Sequence, residues 1–469
     1  MKKIHADRDE LGLPPSPKVM KTLKSIGPKV FSRYKDKPEI IDILAEKHGT
    51  QKERIFIEAG VIGAIHRTLD HILSPSSKIL VPELGYLYYH KLAEGYGAQK
   101  LTFGFQEKED RMAYDLDDLT EKMKQKPDIL VLIDPESPFG FSIPEEDLLR
   151  ILKTTGLETL VLLDQAHEGF RDEHIKDITG LVERFPNLVV FRGFSKFYGL
   201  AGVRIAYALC GDDIKERIKF RERYLGFDIL AQKLAIAALQ TEEHYRENAR
   251  TIRQEKARFN KAIRKLRNYS VYETDTQGSV VKVPDEQSAF LAKLAKENGI
   301  HIRHLKDWHE KLENIYKISI GLPDDNDRII DLFTSVAWVY TLDTYNSDAE
   351  PIIHTRDAGY TMHRKEIPQE KTGILMGLHR VILPPGKSVP AHSHTEQDEL
   401  FEFHSDAIFE LNGERLEVKE GDWMVVRPGD IHYLEAPKDR FARFIALRFP
   451  YSHEDKYSTS GKQIIHENS

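Results

Sequence analysis

The chain is almost without cysteine: Cys210 is the only one in 469 residues. No internal disulfide is therefore available, and the apolar run around it (IAYALC) marks a buried structural thiol. Long hydrophobic runs are missing as well. None approaches the ~18 apolar residues of a membrane-crossing helix. The N-terminal MKKIHADRDE carries lysines with no apolar segment behind them, which is not the pattern of a secretory signal. No excess of one charge exists either. The net charge is −7, with acidic and basic residues mixed throughout, so neither a nucleic-acid nor a membrane surface is announced. There is no helix-turn-helix, internal repeat or low-complexity tract. These absences lead to the expectation of a cytoplasmic protein. A hydrophobic fraction of 40% beside 30% charged residues fits a folded globular chain. At about 150 residues per domain, the length predicts two or three domains.

What is present has three textures. Residues 1–40, rich in Pro and Lys, read as an extended arm leading into a short helix and joining a small domain. Over 41–240, apolar runs of strand length alternate with amphipathic helical stretches: KILVPE, QKLTFGF, DILVLID, TLVLLD, LVVFRGF and RIAYALC. Strands buried on both faces and alternating with helices predict an α/β domain with a mostly parallel sheet. Its ligands are expected at the carboxyl ends of the strands. Residues 241–342 carry a long charged helix and then a mixed pattern, predicting a smaller α+β domain. Residues 343–371 lack periodicity and are expected to be a linker with one strand at most. From 372 to 452, short β runs are punctuated by turns (VILPPGKSVP, AIFELNG, WMVVRPGD), predicting an all-β module.

The segment Ser195-Lys196-Phe-Tyr-Gly-Leu-Ala-Gly-Val-Arg204 follows a predicted strand. A lysine among small and apolar residues loses basicity and can form an imine. A serine hydroxyl and an arginine nearby can hold a phosphate monoester. Together these point to pyridoxal 5′-phosphate (PLP) on Lys196. The run resembles the S-K-x-x-x-L-A-G-x-R signature of the fold-type I aminotransferases of class I/II, especially the histidinol-phosphate aminotransferase-like branch. The resemblance covers about residues 5–340. It implies the PLP-dependent transferase fold and further roles. Asp164, in LLDQAH, would keep the pyridine nitrogen protonated. Gly60-Val61-Ile62-Gly63 would form the phosphate-binding glycine turn at a helix N-terminus. Tyr34 would reach the phosphate of the neighbouring subunit, which implies a homodimer. Tyr86 or Tyr88 would stack on the ring, since Leu84 stands where the family's aromatic residue is usual.

Departures from the family have a common direction. Ser137 replaces the asparagine that faces the ring hydroxyl, and His167 replaces a tyrosine facing the same atom. Lys317, in KISIG, replaces the arginine that grips a substrate α-carboxylate, so charge is kept and the planar fork lost. Groups that hold PLP are retained, while those that read the substrate are altered. The substrate expected is a small, phosphorylated or otherwise non-standard amine or amino acid. Arg303 is a second candidate anion clamp.

Residues 386–432 contain His392-Ser-His394-Thr-Glu-Gln-Asp-Glu399 and, further on, His432 at the end of a glycine-punctuated run. In H-x-H on a strand both imidazoles share a face. Three imidazoles and a carboxylate suit Zn²⁺, Fe²⁺, Mn²⁺ or Ni²⁺; Glu396 and Glu402 are rival carboxylates. The spacing resembles the two motifs of the cupin superfamily, which implies an all-β barrel holding a divalent metal and leaves its activity open. The combined expectation is a PLP-dependent aminotransferase acting on small molecules, with a metal-binding cupin that processes or binds a related metabolite. PLP-dependent decarboxylation and non-catalytic ligand sensing are the alternatives.

Overall fold

The computed structural model describes residues 3–32, 39–70, 72–171, 178–218, 228–340, 352–355, 360–367, 374–452 and 455–460. Tyr34 lies outside them. The first large unit is built on a seven-stranded sheet. Its spatial order is Ile55–Glu58, Ala206–Cys210, Leu188–Gly193, Leu160–Asp164, Ile129–Ile133, Lys78–Pro82 and Gln99–Phe103. Only Ala206–Cys210 runs against its neighbours. The side-chain period of two explains the continuous apolar runs: Leu130 and Leu132 enter the core on one face, Ile129, Val131 and Ile133 that on the other. Cys210 ends this sheet, buried, with its thiol on the Arg54 carbonyl, and burial pushes it up to about 12.

The second unit is a five-stranded sheet ordered Ile4–Ala6, Ile300–His304, Ile315–Ser319, Gly278–Lys282 and Ser270–Tyr272, packed against the helices Asp285–Glu297 and Pro323–Val339. The N-terminal strand Ile4–Ala6 lies parallel on Ile300–His304. The arm is therefore anchored here, and the residues just after it are delivered to the junction of the two units.

The third unit is a pair of facing β-sheets. One is ordered Ile352–Thr355, Thr361–Ile367, Met376–Leu383, Ala442–Phe449, Asp398–Phe403 and Trp423–Val426. The other is ordered Glu414–Val418, Ala407–Leu411, His432–Glu435, Ser388–Ser393 and Tyr457–Ser458. This corrects two expectations. Of the supposed linker 343–371, the segments 352–355 and 361–367 are paired strands of the barrel. The barrel also runs past 452, because Tyr457–Ser458 pairs with His392–Ser393. Both segments lack an obvious apolar alternation and join by backbone pairing. The barrel docks on the helix Pro323–Val339: Asp331 accepts from the Phe441 amide at 2.7 Å and pairs with Arg443. The Arg380 guanidinium stands 4.9 Å over the Trp338 ring.

Candidate active site and metal centre

Asp164 is the last residue of its strand, and Lys196 and Gly60 stand just beyond the carboxyl ends of theirs. Gly60 opens the helix Gly60–Leu69 at φ +79°, and a Cβ there would lie 2.5 Å from Nη2 of Arg204. Only glycine allows this approach. Arg204, in the left-handed region at φ +56°, thus faces the first turn of that helix, where the backbone N–H groups of Gly60, Val61 and Ile62 have no intrahelical acceptor. Ser195 precedes Lys196 on the loop after Leu188–Gly193. The Lys196 ammonium donates to the Arg8 carbonyl at 2.9 Å. Burial lowers its basicity, with Lys317 and Arg204 adding to the effect and Asp9 and Glu10 opposing it. Asp164, 4% exposed, accepts from the Tyr89 hydroxyl at 2.8 Å and the Ala166 amide at 2.9 Å. Burial raises its pKa. A lysine of lowered basicity, an anion-binding helix end facing a guanidinium, and a buried strand-end carboxyl match the carbonyl, phosphate and ring nitrogen of PLP.

The substrate side differs from the simple expectation of free cations. Lys317 is buried, and its ammonium is 2.8 Å from Asp9 Oδ2 and 3.4 Å from Ser137 Oγ. Arg303, opposite Lys317 in register, gives Nε and Nη2 to the Asp7 carbonyl at 3.1 and 2.9 Å. His167 Nδ1 is 3.3 Å from Gln277 Oε1, and its Nε2 is 4.0 Å from Asp9. Burial depresses His167 to about 3, so it is neutral at ordinary pH. Burial opposes ionisation of Asp9, yet Lys317, His167 and Lys196 hold its carboxyl well below the usual range. Glu136, wholly buried beside this group, is pushed up to about 8 by burial, although the Phe139 amide donates to it at 2.8 Å. Tyr86 caps the helix Leu87–Gly95 and packs 5.8 Å from Trp308 and 6.4 Å from Tyr89. Burial and the Asp164 charge raise its pKa. Tyr88 turns instead to His66, at 2.5 Å. Asp9, Gln277, Tyr89 and Glu136 were missed in the sequence. Only the departure at Ser137 flagged one of their neighbourhoods, that of Glu136.

In the barrel, His392, His394, Glu399 and His432 are buried and offer ligand atoms within 4.8 Å of one another. His392 lies opposite His432 on the paired strands Ser388–Ser393 and His432–Glu435, while Glu399 comes from the facing sheet. Glu399 Oε2 is 3.3 Å from His394 Nε2 and 3.1 Å from His432 Nε2. Among the described residues, none of these three atoms, nor His392 Nε2, has a hydrogen-bond partner. Four unsatisfied buried donor atoms converging on one point fit a metal ion. The outer contacts orient them. His392 Nδ1 bonds the Pro390 carbonyl at 2.8 Å and His394 Nδ1 the Asp455 carbonyl, so Nε2 of each faces inward. Arg448 Nε takes Glu399 Oε1 at 2.7 Å, leaving Oε2 as the ligand oxygen. Burial opposes the Glu399 charge, but Arg448 and the two histidines hold it ionised. The Asp455 carboxylate accepts from the amides of Thr395, Glu396 and Gln397 at 2.8, 2.8 and 2.9 Å, fixing the turn between the ligands. Of the rivals, Glu396 is exposed and Glu402 faces His404 at 3.6 Å. The adjoining cavity, about 30 Å³, is lined by Tyr360, Met362, His379 and Lys456 among others. It holds little more than a water molecule or two.

Fold and site together define a PLP-dependent transferase joined to a β-barrel with a buried cluster of three histidines and a glutamate. Comparison with known proteins agrees. The model of the aminotransferase class I and II family matches residues 9–331, and the cupin domain model matches residues 379–448. The histidinol-phosphate aminotransferase of Chlorobium limicola is 29% identical over 317 residues, covering 65% of this chain and 84% of that protein. That of Macrococcus caseolyticus is 29% identical over 326 residues, covering 67% and 86%. In fold, the chain is similar to the histidinol-phosphate aminotransferase of Sinorhizobium meliloti in complex with pyridoxal-5′-phosphate. The TM-score there is 0.65 at 22% identity, covering 71% of this chain and 91% of that one. It is similar also to the L-threonine-O-3-phosphate decarboxylase of Porphyromonas gingivalis, with a TM-score of 0.61 at 19% identity, covering 71% and 98%. The chain belongs to the aminotransferase class I and II family and carries a cupin domain behind it. It is a PLP-dependent aminotransferase of the histidinol-phosphate aminotransferase-like kind.

Proposed function

We propose that the enzyme moves an amino group between a small, phosphorylated or otherwise non-standard amine and a small carbonyl acceptor. The observation that carries this is Lys196, set in its S-K-x-x-x-L-A-G-x-R run beside the Gly60–Arg204 cradle. When bound, PLP supplies an electron sink for the carbanion at the substrate α-carbon. The chain's own residues do the rest. The Gly60, Val61 and Ile62 amides, Ser195 and Arg204 bind the phosphate, and Asp164 keeps a proton at the ring nitrogen. Tyr86 covers the ring face, while Ser137 and His167 face the ring oxygen. Lys196, poorly basic through burial, would take the proton from the substrate α-carbon as general base and then give it up as general acid. Lys317 and Arg303 line the substrate side.

Tyr34 completes the phosphate site of a second subunit, so the active form is a homodimer. The chain divides into an arm over residues 1–40, a PLP-binding domain over 41–240 and a small domain over 241–342. The barrel begins at Ile352, and its His392, His394, Glu399 and His432 hold Zn²⁺, Fe²⁺, Mn²⁺ or Ni²⁺. It binds or processes a small metabolite related to the amine. The protein works in the cytoplasm; among the described residues no helix is long and apolar enough to cross a membrane.

Decarboxylation is the second reading, favoured by the exchange of an arginine fork for Lys317. Incubating the PLP-loaded protein with a panel of amines and amino acids, with and without small carbonyl acceptors (aldehydes, ketones and 2-oxo acids), separates the two. Amino transfer that requires a carbonyl acceptor is expected. Carbon dioxide release without one supports the decarboxylase instead.

A further inference from the structure

The cation standing where the family's arginine grips a substrate carboxylate already has a carboxylate on it, and that carboxylate belongs to the chain. Asp9 Oδ2 lies 2.8 Å from the Lys317 ammonium. The contact is built rather than incidental. Asp9 takes a left-handed conformation at φ +54°, which a non-glycine residue adopts at a cost. Its amide donates to Ser319 Oγ at 2.8 Å, and its carbonyl accepts from Gln277 Nε2 at 3.0 Å. Two residues earlier, the Asp7 carbonyl is held by the Arg303 fork. Just before that, Ile4–Ala6 is a strand of the small sheet. The Arg8 carbonyl accepts from Lys196, and the Lys196 charge acts on Asp9; the hydrogen bonds to Lys317, Ser319, Gln277 and Arg303 do not involve the lysine that PLP engages.

Only one oxygen of Asp9 is used. Oδ1 is buried and has no hydrogen-bond partner among the described residues, and a buried acceptor left so is costly. Gly278 borders this oxygen: a Cβ there would meet Asp9 Oδ1 at 3.6 Å and Lys317 Cε at 3.4 Å, both ordinary contacts, and the Ile318 carbonyl at 3.3 Å. The groups around Asp9 are Lys317, Lys196, the neutral His167 and, across Lys317, Ser137. An incoming carboxylate would meet Lys317 already neutralised and a like charge beside it. A neutral donor, such as a hydroxyl, would meet an acceptor that lacks a partner.

We propose that Asp9 is a specificity-determining residue. By holding Lys317 and presenting Oδ1, it disfavours α-carboxylates in both half-reactions and selects amines that carry a neutral hydrogen-bond donor at that place. The amino donor is then not an ordinary α-amino acid. This rests on the aminotransferase reading above.

The test uses matched pairs that differ only in a carboxylate replaced by a hydroxymethyl group: histidine and histidinol, leucine and leucinol, O-phosphoserine and serinol phosphate. Dissociation constants are measured by calorimetry on the full PLP-loaded chain, for wild type, Asp9→Asn and Asp9→Ala. In the wild type, at least one amino alcohol is expected to bind tenfold or more tightly than its amino acid. Asp9→Asn, which frees the Lys317 charge while keeping an acceptor, is expected to shift that ratio at least tenfold towards the amino acid. Asp9→Ala should in addition weaken the amino alcohol. A wild type that prefers the amino acids, equal or absent binding across all pairs, or an unmoved ratio in Asp9→Asn overturns the proposal. A role in folding alone would lower both affinities together. Amino transfer is read separately, in a single turnover, by loss of the imine absorbance. Selective binding without transfer sinks the aminotransferase reading and leaves the role of Asp9 standing; transfer with carboxylates preferred does the reverse.

Discussion

Replacing Asp455 by alanine removes the carboxylate that organises the metal site without touching any ligand. Three backbone amides, those of Thr395, Glu396 and Gln397, lose their acceptor, as does the Thr395 hydroxyl. These residues form the turn that carries the chain from His394 to Glu399, and Gln397 within it is fully buried. Hydrogen bonds to a charged acceptor contribute about 1.5–3 kcal/mol each and do not add simply. Water can replace those at the exposed Thr395 and Glu396, so the loss is concentrated at Gln397 and in the freedom given to His394. The backbone carbonyl of residue 455 remains to orient His394 Nδ1, but its position depended on the same carboxylate. Loss of an outer-shell support typically costs about 10–100-fold in metal affinity, or about 1.4–2.8 kcal/mol. Competition for Zn²⁺ against a chromophoric chelator at neutral pH, on the full chain, measures it. Asp455→Asn should recover part of the loss, because its amide oxygen still accepts. A dissociation constant within twofold of wild type for Asp455→Ala would refute the reasoning.

Further outcomes are expected at the other site. Gly60→Ala places a Cβ 2.5 Å from the Arg204 guanidinium at a positive φ. It should weaken PLP binding at least tenfold, measured by fluorescence titration, and destabilise the chain by about 1 kcal/mol or more. Glu136, pushed from 4.5 to about 8, binds more protons folded than unfolded across that window. Its burial therefore erodes stability, by up to about 1.4 kcal/mol per pH unit, as pH rises from about 5 to 8. Glu136→Gln removes this term, so its melting temperature should gain on wild type between those pH values; a gap independent of pH would count against it.

Much of this molecule could be read from local pattern. The central strands were legible because both faces are buried, which turns alternation into unbroken apolar runs such as Ile129–Ile133. Lys196 was legible from one contiguous run, and the barrel ligands from the spacing of His392, His394 and Glu399. Asp9 was not, because a polar HADRDELGL arm gives no sign that an aspartate will meet a lysine 308 residues away. Asp455 escaped for the same reason: its partners are some 60 residues distant and are mostly backbone amides, which have no sequence signature. Over 343–371 the sequence shows one strand at most, because the two strands there are placed by backbone pairing, Ile352–Thr355 on Thr361–Ile367 and Thr361–Ile367 on Met376–Leu383. For Asp9 and Asp455 a contact between distant segments decided the outcome, and no local periodicity records such contacts.

The central claim is that Lys196 binds PLP as an imine, and absorbance tests it most directly. Wild-type protein purified with added PLP should show the visible imine band, and Lys196→Ala, treated identically, should lack it. A wild type without that band, or a Lys196→Ala variant that keeps it, would contradict the account.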